Sequence, residues 1–184
     1  MVMYLIHAPG MAGGDKERGE QIARETIAID EAEGRFQMGA VYWKKNEVKA
    51  ALTEFGLSLE IDPDNFEALS MVAGMLTENG DYATCQTLCG SYARAWPDRV
   101  EPRNAMGDCY RAQKMNDEAI GEYLAALEID GWYGNARYKA ARLYEKQKDT
   151  GQAAYHYRIL LERNPGYIEA GRAKKQLRKI EKGR

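Results

Sequence analysis

The most constraining feature of this chain is a step of 34 residues that keeps returning the same kind of side chain. Pro63 and Pro97 stand one step apart, and two more steps reach Pro165; the intervening place holds Gly131, another helix breaker. Four further columns keep the same register. Ala51, Cys85, Ala119 and Ala153 are all small, as are Gly39, Ala73, Gly107 and Ala141. Tyr42, Leu76, Tyr110 and Tyr144 are large, and Phe55, Cys89, Tyr123 and Tyr157 are mostly aromatic. No single helix or strand has so long a period, so the step has to be the length of a packed module.

Small residues let two helix axes approach closely while large ones fill the space beside the contact, which is the chemistry of an antiparallel helix pair. Residues 39–43, 50–61, 119–129 and 153–161 carry apolar side chains at spacings of three and four, as amphipathic helices do. Asn46 and Gly80 suit the left-handed conformation that ends a first helix. Asp62-Pro63, Trp96-Pro97 and Asn164-Pro165 stop each second helix.

The residues Met38-Gly39, Tyr42, Ala51-Leu52, Phe55 and Leu59 to Pro63 together resemble the tetratricopeptide repeat family, and the resemblance runs over residues 32–167. It implies an all-α fold, a right-handed superhelix of antiparallel helix pairs, divided into repeats at 32–65, 66–99, 100–133 and 134–167. One departure stands out. The large residue that the family favours early in each first helix falls on Arg35, Leu69, Arg103 and Arg137, so the usual Trp is missing.

Both ends need closing, because a terminal module exposes a face that would otherwise pack on a neighbour. Residues 16–29 read as a helix, the remnant of a degenerate repeat within 16–31, with Ile22, Ala23, Ile27 and Ala28 turned inward. Residues 168–184 read as a capping helix, with Ala170, Ala173, Leu177 and Ile180 on the last pair and its Lys and Arg in water. Residues 1–15 read as an irregular or mobile arm: an apolar start, Met1 to Ile6, then Pro9, Gly10, Gly13 and Gly14.

Composition removes several functions. A net charge of -2 lacks the basic surplus that holds a nucleic-acid backbone, and Glu78, Asp108 and Glu145 on inner faces disfavour an RNA-reading repeat. The apolar run at the start is too short to span a bilayer, so a soluble, cytoplasmic protein is expected, or a periplasmic or tethered one if a leader was removed. Cys85, Cys89 and Cys109 match neither a zinc spacing nor a disulfide framework; they read as buried small residues in a reducing compartment. Gly13-Gly14-Asp15-Lys16 lacks the Lys-Ser/Thr ending of a phosphate-binding loop. With His7 and His156 as the only histidines, no nucleophile-histidine pair can be assembled. No enzyme activity, cofactor or metal is expected.

What remains is a surface. In the family the first helices line a concave groove, and the positions beside the packing columns are Phe36, Gln37, Ala40, Trp43 and Lys44, then Ser70, Met71, Gly74, Thr77 and Glu78. The third repeat offers Asn104, Asp108 and Arg111, and the fourth Tyr138, Lys139, Arg142, Glu145 and Lys146. The expected role is a protein-binding adaptor or assembly scaffold. Its partner would be a peptide or helix, apolar over Trp43 and polar or acidic over Arg142. The alternatives are a self-associating scaffold, a homodimer among them, and an accessory domain of an enzyme. Relatives that grip a chaperone's acidic tail use Lys and Asn on adjacent first helices; Phe36, Ala40, Ser70 and Met71 stand at the start of that pattern, so that activity is not expected.

Overall fold

The computed structural model describes residues 16–183, and the expected arm with His7 lies outside them. Among the described residues there are ten helices and no strand. They are α1 (Lys16–Ile27), α2 (Glu31–Lys44), α3 (Val48–Ile61), α4 (Phe66–Glu78) and α5 (Tyr82–Ala95). Then follow α6 (Val100–Ala112), α7 (Asn116–Ile129), α8 (Gly134–Lys146), α9 (Thr150–Arg163) and α10 (Ala170–Lys182). The fold is all-α, built from helix pairs of the expected kind. The chain divides into two compact units, the first ending at Asn79 and the second beginning at Gly80. That division falls inside the stretch 66–99 that the sequence assigns to a single repeat.

The helix starts are written locally. Asp30, Asn65, Asp81 and Asp149 each accept a hydrogen bond from the backbone N–H three residues on, satisfying a donor that the helix itself leaves unpaired. The ends of the first helices repeat as well. Asn46 and Gly80 take φ of 63° and 77°, and Lys114 and Lys148, at the same repeat position, both take 65°. The left-handed turn therefore recurs at four positions 34 residues apart, twice on a residue that adopts it only against steric resistance. After it, Glu47, Met115 and Asp149 donate their N–H groups back to the carbonyls of Tyr42, Tyr110 and Tyr144.

In the first unit Val41, Ala51, Phe55 and Leu69 are completely buried. Gly39 is there because a Cβ at that position would come within 2.7 Å of the Phe55 ring. Ala23 anchors α1, whereas Ala28, expected to face inward, is exposed because α1 stops at Ile27. In the second unit Tyr123 and Tyr157 are each wholly buried, and each is the centre of a core cluster. Burial of a side chain this size stabilises by roughly 2–3 kcal/mol. The three thiols Cys85, Cys89 and Cys109 are buried, and the Cys109 thiol contacts the Tyr82 carbonyl at 3.5 Å. The last helix buries Ala173 and Ile180, with Leu177 packed beside them. It begins at Ala170, two residues later than expected, leaving Ile168 outside it and 89% exposed.

The missing large residue of the first helices is replaced by charge. Arg35 pairs with Glu54 at 3.0 Å and Arg103 with Glu122 at 3.1 Å, two equivalent contacts two repeats apart. In the fourth repeat the register puts Arg137 opposite His156 instead of an acid. Arg137 turns to donate to the Gly131 carbonyl at 2.7 Å, and both side chains are buried.

Candidate functional site

The predicted surface residues of the second unit are brought together by α6 and α8. Asn104, Asp108 and Arg111 are spaced along one face of α6, while Tyr138, Lys139 and Arg142 share a face of α8. Lys139 joins the two helices. Its ammonium contacts Asp108 at 2.5 Å and Asn104 at 3.2 Å, and burial pushes it below the ordinary lysine range against the pull of Asp108. Asp108 also accepts from the Tyr123 hydroxyl at 2.8 Å and pairs with Arg111 at 3.2 Å. One carboxylate thus holds three donors, fixing the α6 and α8 faces against each other. Asn104 is buried and supports Lys139 rather than facing solvent.

Beyond this contact lies a cleft of about 880 Å³. Four cations border it, Arg111, Lys139, Arg142 and Lys146, against two acids, Glu145 and Glu169. Both acids are already engaged: Glu145 accepts from Tyr157 at 2.9 Å and stands 3.7 Å from Arg142, and Glu169 holds Arg172 at 2.9 Å. Arg142 is half exposed and also donates to the Tyr138 hydroxyl at 3.3 Å. The Tyr138 ring lies 6.0 Å from that of Tyr167, and Leu143 and Ile168 complete an apolar wall. The cleft combines a cationic rim with an aromatic and aliphatic floor, which suits an extended segment carrying carboxylates and at least one apolar side chain.

Tyr167, Ile168 and Glu169 were not among the residues expected from sequence. Their part in the cleft comes from the turn between α9 and α10, and sequence position alone assigned Ile168 to the capping helix. Asn135 and Leu143 were also missed; they sit on α8 outside the columns that define its inner face.

The candidates on the first unit are placed differently. Phe36 is 7% exposed, its ring 5.5 Å from that of Phe55, and Ala40 is 3% exposed, so both belong to the core and not to an open lining. The reason is the vacancy left by Arg35, whose side chain runs out to Glu54 and leaves Phe36 to fill the space inside. Gln37 donates to Glu33 at 2.6 Å; Trp43 and Met71 are half-buried, and Lys44 and Ser70 are exposed. The Ser70 and Thr77 hydroxyls donate to carbonyls one helical turn back, at 2.9 and 2.7 Å.

Among the described residues no group of three or more His, Cys, Asp or Glu side chains is arranged to hold a metal ion, and no helix is long and apolar enough to cross a membrane.

Two models of the tetratricopeptide repeat match the chain, at residues 32–65 and 135–167. Several solved structures are similar over about two thirds of the chain or more. The protein MamA from Desulfovibrio magneticus, residues 41 to the end, is 18% identical with a TM-score of 0.62, covering 84% of this chain and 89% of that one. YrrB, described as a protein of this repeat type with an unusual peptide-binding site, is 22% identical with a TM-score of 0.58, covering 87% and 84%. The Yersinia enterocolitica type III secretion chaperone SycD, solved with a peptide of the translocator YopD, is 19% identical with a TM-score of 0.57, covering 66% and 96%. At these identities the likeness establishes the fold.

Proposed function

We propose that this chain, which matches tetratricopeptide repeat models at residues 32–65 and 135–167, is a non-catalytic adaptor that holds an acidic segment of another protein in the cleft between α6, α8 and the turn before α10. The observation that carries the reading is an aromatic floor bordered by four cations, of which Arg111 and Lys139 share the single carboxylate of Asp108, Arg142 stands 3.7 Å from Glu145, and Lys146 forms no ion pair among the described residues. Peptide binding by YrrB and by SycD, on the same fold, supports a peptide as the ligand class. The fold itself is generally a protein-interaction module. On the first unit, Trp43, Lys44, Ser70 and Met71 offer contacts of their own, Trp43 as an aromatic anchor and Met71 as an adaptable one.

The test is selection from a random peptide library against the whole chain. Enrichment of sequences with two or more Asp or Glu beside an apolar residue is expected, and Arg142→Glu with Lys146→Glu should abolish it without lowering the melting temperature. Enrichment that ignores the double variant would place the ligand elsewhere.

A further inference from the structure

The two units carry opposite charge. Residues 1–79 contain 7 Lys and Arg against 14 Asp and Glu, and residues 80–184 contain 19 against 14. A net charge of -2 for the whole chain therefore conceals a strongly acidic half and a basic one. The basic surplus is concentrated on α10, which has six cations and one acid in 13 residues. Its Lys174, Lys175, Arg178, Lys179 and Lys182 form two adjacent rows along the exposed side, and no acid among the described residues pairs with any of them. The acids nearby are spent, Glu181 on Arg158 at 2.8 Å and Glu169 on Arg172.

Beside this strip runs a groove of about 460 Å³ between α9 and α10. Leu161, Pro165, Ala170 and Leu177 make it apolar, and Lys174 and Arg178 stand on its edge. It has the form of an apolar slot bordered by two cations and by Glu181, whose carboxylate Arg158 holds. A matching projection exists on the acidic unit, at the turn between α3 and α4. There Ile61 is 48% exposed, and Glu60, Asp62, Asp64 and Glu67 around it are exposed and form no ion pair among the described residues.

We propose that a second copy of this chain occupies the α9–α10 groove, inserting Ile61 between Leu161 and Leu177 while Glu60, Asp62 and Asp64 meet Lys174, Arg178 and the strip beyond. Projection and slot differ, so the contact joins unlike surfaces of two copies. A basic strip alone would suit any polyanion. The apolar groove beside it, and an acid-flanked Ile on the same sequence, select a protein surface and this one in particular. Interfaces need an apolar centre, and a lysine-rich face without one is a poor protein contact.

Sedimentation of the full chain over a wide concentration range tests this. At low salt the average mass should rise with concentration, and at about 1 M salt, where the Debye length is ~3 Å, it should fall back toward the monomer. Lys174→Glu with Arg178→Glu should weaken association by about tenfold or more. Glu60→Lys with Asp64→Lys should do the same, and one chain carrying all four reversals should associate again. Circular dichroism establishes that each variant is folded, and the peptide cleft is untouched by all four changes. A wild-type chain that stays monomeric at low salt overturns the proposal. So does association that survives either pair of reversals, or a fourfold variant that does not recover. Binding of α10 to anionic vesicles by a chain that remains monomeric would assign the strip to a lipid surface instead.

Discussion

Tyr123 and Tyr157 stand one repeat apart and each donates a buried hydroxyl to a carboxylate, yet the two carboxylates come from different repeat positions. Tyr123 reaches Asp108 at 2.8 Å, and Tyr157 reaches Glu145 at 2.9 Å. Asp108 is equivalent to Arg142 in the next repeat, and Arg111 to Glu145, so acid and base exchange places along the first helices. Each tyrosine finds whichever acid is present, because a buried hydroxyl without a partner is costly. The exchange leaves Arg142 at the mouth of the cleft, where its equivalent Asp108 is held inside by Lys139.

Removing either hydroxyl should therefore cost stability by similar amounts but disturb the site differently. Tyr123→Phe and Tyr157→Phe are each expected to destabilise by about 1 kcal/mol in urea melts. Tyr157→Phe should also change peptide affinity by way of the Glu145–Arg142 pair. Equal, unaltered affinity in both variants would show that the tyrosines serve the core alone.

Lys114 and Lys148 occupy the left-handed position that Asn46 and Gly80 fill in the earlier repeats. Lys114→Gly should stabilise the chain by about 0.5–1 kcal/mol, since glycine takes φ > 0 without the Cβ clash. The same change at Lys148 should add to it, as both residues are exposed. A lower melting temperature for either variant would contradict the strain.

Gly34 holds α1 against α2. A Cβ there would lie 2.3 Å from the backbone nitrogen of Ile27, which cannot move aside as a side chain does. Gly34→Ala is expected to destabilise by about 1–3 kcal/mol, most visibly as faster amide exchange in α1. At Gly74 a Cβ meets nothing within 4 Å, so Gly74→Ala should be neutral or stabilising.

His156 stands where Glu54 and Glu122 stand in other repeats, facing Arg137. Burial, and then the Arg137 charge, push its pKa down from 6.5 to about 4. The folded chain keeps this imidazole neutral, while the unfolded chain protonates it near 6.5. Its contribution is complete above that pH, is lost progressively as pH falls from 6.5 to about 4, and changes no further below. The loss should amount to about 3 kcal/mol, and His156→Gln should flatten that part of the stability profile relative to wild type. Parallel profiles for the two chains would show that His156 does not titrate as described.

The repeat register, the helix pairs and the left-handed turns at Asn46 and Gly80 are legible in the sequence alone, because each depends on residue type at a fixed interval. The cleft was half readable. Arg111 follows from the face of α6 it occupies and Tyr138, Lys139 and Arg142 from the face of α8 they share, but Tyr167, Ile168 and Glu169 lie in a turn where no period applies. Phe36 and Ala40 were assigned outward by the family pattern, and the pattern failed because Arg35 gives up the interior that a Trp would fill.

By itself the sequence determined what recurs: a 34-residue step, small residues where helices touch, and aromatic ones beside them, since local spacing decides which side of a helix a residue occupies. Only the tertiary structure decided which charges cancel. Asp108 and Lys139 lie 31 residues apart and Arg35 and Glu54 lie 19 apart, and an ion pair depends on distance in space, which a single period along the chain does not encode.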